Sequence, residues 1–315
     1  MVDFDYLYKG LCGLANAHKA SAMAGHLGAA LVAGYFFSED KSDLPDAVHE
    51  GVERELDRVL NGEEKFWWNA RKTGMTAEKL FARLPDEPSA EESIGSIATA
   101  LSKNIGKTRQ SGHNVIFAAT AIRALRDHPE FATPKMIDGI RRLIAQFDGA
   151  VPGRGYYGKD KGWISGQHVK LPDESIRPYR NEKELAEIVI NELISTASTR
   201  RQGFGGLWHL INHAAALVEL SRFGHGAVAR SGFEAHLHHL RLWRSLPDVE
   251  SELGAVKKAD HDPRTAEYWM DDLKRDEARL THRVKTLYGF FTLAELIDDG
   301  AKRKEAEDRL RFLMA

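Results

Sequence analysis

Four apolar segments of this chain open on a histidine. They read GHLGAALVAGYF from Gly25, GHNVIFAATAIRAL from Gly112, NHAAALVELSRF from Asn212 and THRVKTLYGFFTLAEL from Thr281. An imidazole takes or gives a proton near neutral pH, and its lone pair binds transition metals. On a helix, residues at i, i+4, i+7 and i+11 share a face. From His26 these are Ala30, Ala33 and Phe37; from His113, Phe117, Thr120 and Ala124; from His213, Leu217, Leu220 and Gly224; from His282, Thr286, Gly289 and Leu293. Small side chains accompany the histidine on three of the four faces, and a polar ring beside open space implies a cavity. His26, His113, His213 and His282 are therefore the candidate catalytic groups, expected to face one interior pocket. Each also has a plain structural reading, a buried histidine hydrogen-bonded to a nearby carbonyl.

The third segment is denser. Gly203-Phe204-Gly205-Gly206-Leu207-Trp208-His209 precedes Asn212 and His213, and His209 and His213 lie one turn apart, a spacing able to chelate a metal. The glutamate of the metalloprotease pattern is absent between them. The metal candidates are thus His26, His113, His209, His213 and His282, with iron, zinc or copper as the ion. Arg200 and Arg201 with the following glycines precede a helix start, a place that can hold an anion, or they form a plain glycine-rich turn. Other groups point to structure. Glu234, His236, His238 and His239 read as a solvated or interface face. Asp46 and His49 sit amid Glu50, Glu53, Glu55 and Asp57 and read as a charged outer face. Phe66-Trp67-Trp68 reads as packing, and His18 could extend the pocket.

These residues need helices to position them, and helix signals dominate. Period-two β-branched runs are scarce, and no proline lies between Pro178 and Pro247. Helices are expected at 5–20, 22–38, 44–60, 76–84, 89–104, 112–127, 134–147, 182–200, 206–222, 226–246, 263–279, 281–298 and 301–314. Asn181 with Glu184 has the spacing of a reciprocal cap, and Thr133-Pro134 that of an N-cap followed by proline. Residues 149–180 break the pattern with Gly149, Gly153, Gly155, Gly158, Gly162 and Gly166 among Tyr156, Tyr157 and Trp163. So long a glycine-rich loop is expected to act as a lid or linker. The histidines recur at unequal intervals, which suits helical hairpins rather than a strict repeat. The expectation is one all-α domain over 1–315, a hairpin array or toroid around a central pocket.

Composition sets the outer bounds. Of 315 residues, 43% are hydrophobic and 29% charged, with a formal charge of -2. That balance gives no electrostatic reason to expect nucleic acid. A single cysteine, Cys12, excludes an internal disulfide and fits a reducing compartment. The N-terminus lacks a secretory pattern, and the longest apolar run, 27–37, is too short for a bilayer. A cytoplasmic location and a small-molecule substrate are expected.

Four segments in order resemble the questin oxidase-like family. His26-Leu27 with Ala30-Leu31 is similar to its Asn-His-Leu-x-x-Ala-Leu opening, although Gly25 stands where the family tends to have Asn. The stretch after His113 resembles the family's second helix, and Trp208-His209 to Leu220 its third. Thr281-His282-Arg283-Val284-Lys285-Thr286-Leu287-Tyr288 is similar to a His-x-x-Lys segment near its C-terminus. The resemblance implies an all-helical oxidoreductase of monooxygenase type, inserting oxygen into a ring ketone or quinone. It implies that His282 and Lys285 lie near the pocket, with Lys285 stabilising a phenolate or enolate and a histidine deprotonating the substrate. Trp208, His209, Asn212, Tyr288, Tyr156, Tyr157 and Trp163 are the expected substrate contacts. The cofactor is a transition metal or NADPH, the latter without the glycine-rich dinucleotide turn. A different class stays open: a non-catalytic helical scaffold whose histidines are satisfied in the core.

Overall fold

The computed structural model describes residues 1–64, 67–171, 176–270 and 279–315. The first half contains α1 (Phe4–Ala17), α2 (Gly25–Asp40), α3 (Asp46–Leu60), two single-turn helices α4 (Ala70–Thr73) and α5 (Ala77–Leu80), α6 (Gly95–Ser102), α7 (His113–Asp127) and α8 (Pro134–Ala145). A hairpin of β1 (Arg154–Tyr156) and β2 (Trp163–Ser165) follows. The second half adds α9 (Glu182–Thr196), α10 (Gly206–Arg222), α11 (Gly226–Ser231), α12 (Phe233–Arg244), α13 (Glu250–Leu253), α14 (Ala266–Met270), α15 (Arg279–Ala294) and α16 (Gly300–Met314). The chain is all-α. Phe66 and most of the C-terminal half of the helix expected at 263–279 lie outside the described residues.

The four histidine-bearing helices form the centre. α2 packs on α7 and α15, and α10 packs on the same two, so the four close a ring in cross-section. Their near-continuous apolar sequences follow from this, because each is covered on every side. In α2 every residue from Gly25 to Gly34 is buried. Glycine permits the closest approach: a Cβ on Gly28 would lie 2.5 Å from the Leu14 backbone nitrogen, so α1 and α2 touch backbone to backbone. The other helices wrap this centre. Amphipathic α8, with Met136, Ile137, Ile140, Leu143 and Ile144 buried, lies against α1 and α6. Among the described residues no helix is long and apolar enough to cross a membrane.

Local chemistry places the helix ends. Thr133 accepts from the Met136 amide at 3.3 Å with Pro134 in the first turn. Asn181 accepts from the Glu184 amide at 2.9 Å, but the Glu184 carboxylate turns to the Arg180 amide at 2.8 Å, one residue before the reciprocal partner.

The glycine-rich stretch is not a featureless loop. Its hairpin extends onto the segment before α10: Phe204 donates its amide to Arg154 O and Tyr156 donates to Gln202 O, both at 2.8 Å. A Cβ at Gly203 would lie 2.3 Å from Gly155 Cα, which explains the glycine at each position. The hairpin therefore braces the Gln202–Phe204 strand-like run from behind.

Candidate functional site

The N-terminal turns of α2, α7, α10 and α15 meet at one end of the central ring, because each contributes a first-turn histidine to one cluster. His26 Nε2 lies 2.6 Å from His113 Nε2, and His209 Nε2 lies 2.7 Å from His282 Nε2. The two pairs touch, with the His113 and His209 ring centroids 4.3 Å apart and those of His26 and His282 4.9 Å apart. His26, His209 and His282 can each offer a ring nitrogen within 4.8 Å of the others. Lys285 Nζ contacts His26 Nδ1. All five side chains are buried.

Burial sets the charge states. It pushes His26 and His209 well below the ordinary imidazole value, with neighbouring Lys285 and the other histidines adding to the effect. His113 is pushed down to about 3, by burial first and the nearby Lys285 charge second. Burial also pulls the Lys285 amine down to about 7. Four converging helix N-termini act in the same direction, since each carries partial positive charge. These three imidazoles are accordingly neutral at pH 7, with one lone pair each.

One tautomer follows from geometry. His113 Nδ1 contacts the Gln110 carbonyl, which only accepts, so Nδ1 carries the hydrogen and Nε2 carries the lone pair. The Gln110 carbonyl is held in place by strained backbone. Gln110, Ser111 and Gly112 all have positive φ, of 41°, 59° and 86°. Gly112 is required there: a Cβ would lie 2.5 Å from the His213 ring. Gly205 plays the same part before α10, where a Cβ would lie 2.3 Å from the His209 ring.

Two tryptophans sandwich the cluster. Trp67 stacks on His26 at 4.0 Å and 12°, and Trp208 stacks on His282 at 5.1 Å and 24°. All four histidines and both tryptophans line a cavity of about 860 Å³, within the size range of small-molecule sites. Glu64, fully buried, closes the N-terminus of α15. Its carboxylate accepts from the Leu280 amide at 2.8 Å and the Thr281 hydroxyl at 2.6 Å. Sequence reading missed Glu64 altogether and took Trp67 for packing. Their signal was the run Glu64 to Trp68 just after α3, whose place beside α15 is visible only in three dimensions.

His213 stands apart from the cavity. It joins His236 and His239 in a second buried trio, with ring centroids 5.0 and 5.6 Å away. His236 bridges Tyr179 OH at 3.0 Å and Leu210 O at 3.1 Å, and His239 donates to Phe204 O at 2.8 Å. His236 and His239 are thus interior, not on a solvated or interface face. His49 is also buried, 2.8 Å from Ser38 Oγ, rather than on an outer face. His18 bonds Ala15 O and does not line the cavity.

Asn212 and Tyr288 line a separate space of about 20 Å³ behind Lys285, and Arg123 donates to Tyr288 OH at 2.9 Å. The loop aromatics lie elsewhere. Tyr156 OH bonds Glu252 at 2.8 Å, Tyr157 OH and Ser245 Oγ lie 2.6 Å apart, and Trp163 is about half exposed at 49%. None of the three lines the cavity, so the described part of the glycine-rich segment braces the site rather than covering it.

No model of a known protein family, no curated protein and no solved structure matches this chain.

Proposed function

We propose that this protein is a metal-dependent oxidoreductase acting on a cyclic, quinone- or ketone-type small molecule. His26, His209 and His282 hold the metal, with His113 beside them. The observation that carries the reading is the convergence of four buried imidazoles, from four separate helices, at the end of one large cavity.

The donor set fits a transition metal. His209 Nδ1 is buried without a protein hydrogen-bond partner. In each close Nε2 pair of neutral rings one nitrogen must donate and the other accept, and the Gln110 contact of His113 makes His26 the donor in the first pair. Aromatic nitrogen donors with no carboxylate among them suit iron, copper or zinc and not magnesium or calcium. Such a metal, when bound, supplies Lewis acidity and, for iron or copper, one-electron redox chemistry.

The chain's own groups do the rest. The convergent helix ends favour negative charge, so they stabilise a phenolate or enolate at the cluster. Lys285 is poised near neutrality and abuts His26 Nδ1, so it can take the proton released when that anion forms. Trp67 and Trp208 wall the rings on two sides. The oxidative class comes from the resemblance to the questin oxidase-like family. Insertion of one atom of dioxygen into a ring ketone sends the other atom to water, with two electrons and two protons from an external reductant such as NADPH.

Elemental analysis of protein purified without a histidine tag, before and after anaerobic loading with iron, copper or zinc, tests the metal. The expected result is close to one equivalent, lost in His209→Ala and His282→Ala and kept in His213→Ala. Less than about 0.1 equivalent after loading overturns it.

A further inference from the structure

The cavity has a second pole that the histidines do not explain. Arg200 and Arg201 line it in the segment between α9 and α10. Arg200 Nε, Arg201 Nε and Arg201 Nη1 are buried without a hydrogen-bond partner among the described residues. Unpaired buried guanidinium nitrogens are costly, and their usual partners are carboxylates and phosphates. Asp260 also lines the cavity, and no ion pair joins it to either arginine. Arg279 holds the C-terminal Ala315 carbonyl oxygen, and Asp308 pairs with Lys258 at 2.7 Å.

The two arginines are also fixed in place. Arg201 lies over the Trp243 ring at 5.5 Å, and the Arg200 carbonyl accepts from the Val249 amide at 2.8 Å. The next residues, Gln202 to Phe204, are pinned to β1 by the hydrogen bonds and the glycine contact described above. A fork held this way loses little freedom on gripping a planar anion.

We propose that Arg200 and Arg201 form a carboxylate-recognition subsite, so that the substrate is a cyclic aromatic carboxylate. Its carboxylate seats on the arginines and its ring extends toward the histidines. The inference rests on the reading of this cavity as the substrate site, but not on the presence of the metal.

Binding of three probes to the full-length protein tests it, read by quenching of tryptophan fluorescence: 2-naphthoate, 2-naphthyl phosphate and the neutral 2-naphthalenemethanol. Naphthoate is expected to bind roughly tenfold or more tighter than the alcohol, the usual worth of a charge-assisted hydrogen bond. The Arg200→Gln/Arg201→Gln double variant is expected to lose that margin while keeping the alcohol's affinity, which also reports that it folds. Equal affinity for naphthoate and alcohol in the unmodified protein, or no binding of either, overturns the proposal whatever the variant does. So does unchanged naphthoate binding in a variant that still binds the alcohol. Tighter binding of the phosphate than of naphthoate overturns the carboxylate assignment. Repeating the titration after chelation separates the two readings. A preference that survives in protein unable to bind metal supports this subsite while the metal reading fails.

Discussion

At the scale of single residues, Lys285 is the most exacting group. An amine enclosed by imidazoles and apolar helices is costly to charge, and burial draws its pKa down to about 7. In the unfolded chain the same amine titrates near 10.4. Between those values the unfolded state binds the extra proton, so stability rises with pH across about 7 to 10.4, by up to about 1.4 kcal/mol per unit. Lys285→Met keeps the length of the side chain and removes the titration. Chemical denaturation at pH 8 and pH 10 is expected to show the unmodified protein gaining on the variant as pH rises, with the Met variant at least as stable at pH 8. Parallel pH profiles in the two proteins would mean that Lys285 is charged in the fold.

At the scale of elements, the site depends on how the ends of four helices are held. Three of them have a device of their own. α7 starts after three residues of positive φ, and α10 starts after Gly203, Phe204 and Gly205, all with positive φ. α15 is closed by Glu64, just beyond the end of α3. Removing that carboxylate leaves buried amides of Leu280 and Thr281 unpaired, a loss of about 1–3 kcal/mol. Glu64→Ala is therefore expected to lower the denaturation midpoint and also to weaken metal retention, since α15 carries His282. A variant that loses stability but holds metal as tightly as the unmodified protein would separate the cap from the site.

The same elements show what was legible beforehand. Apolar segments with histidine at the start marked α2, α7, α10 and α15, because helical periodicity is local. The division between His209 and His213 was not legible. They share a face one turn apart, and only the positions of α12 and α15 decide that one ring enters the cavity and the other the His236 trio. The aromatic and glycine-rich stretch misled for a related reason. Glycines that admit a neighbouring backbone, as Gly155 admits Gly203, look in sequence like glycines of a mobile lid.

At the scale of the whole molecule, the two histidine clusters make the fold sensitive to acid. His26, His113, His209, His213, His236 and His239 all have depressed pKa values in the folded state, chiefly through burial. In the unfolded chain they protonate near 6.5. A base whose folded pKa is depressed favours folding fully above its unfolded pKa. That advantage is lost as pH falls from there toward the folded value, here about 3 for His236 and about 4 for His239. Each such histidine removes up to about 1.4 kcal/mol per pH unit, so six acting together remove about 8. A domain holds only about 5–15 kcal/mol in total. The loss is therefore steep enough to end in cooperative unfolding near pH 5 rather than in gradual loosening. Circular dichroism followed from pH 7 to pH 4 is expected to show one sharp transition. The midpoint should move to lower pH in protein loaded with metal, because a coordinated imidazole resists protonation. His236→Gln, which keeps a polar side chain beside Tyr179, should make the transition shallower. Helical signal unchanged down to pH 4 would mean that these histidines titrate in the native fold, and so are not closed away from water as the buried rings require.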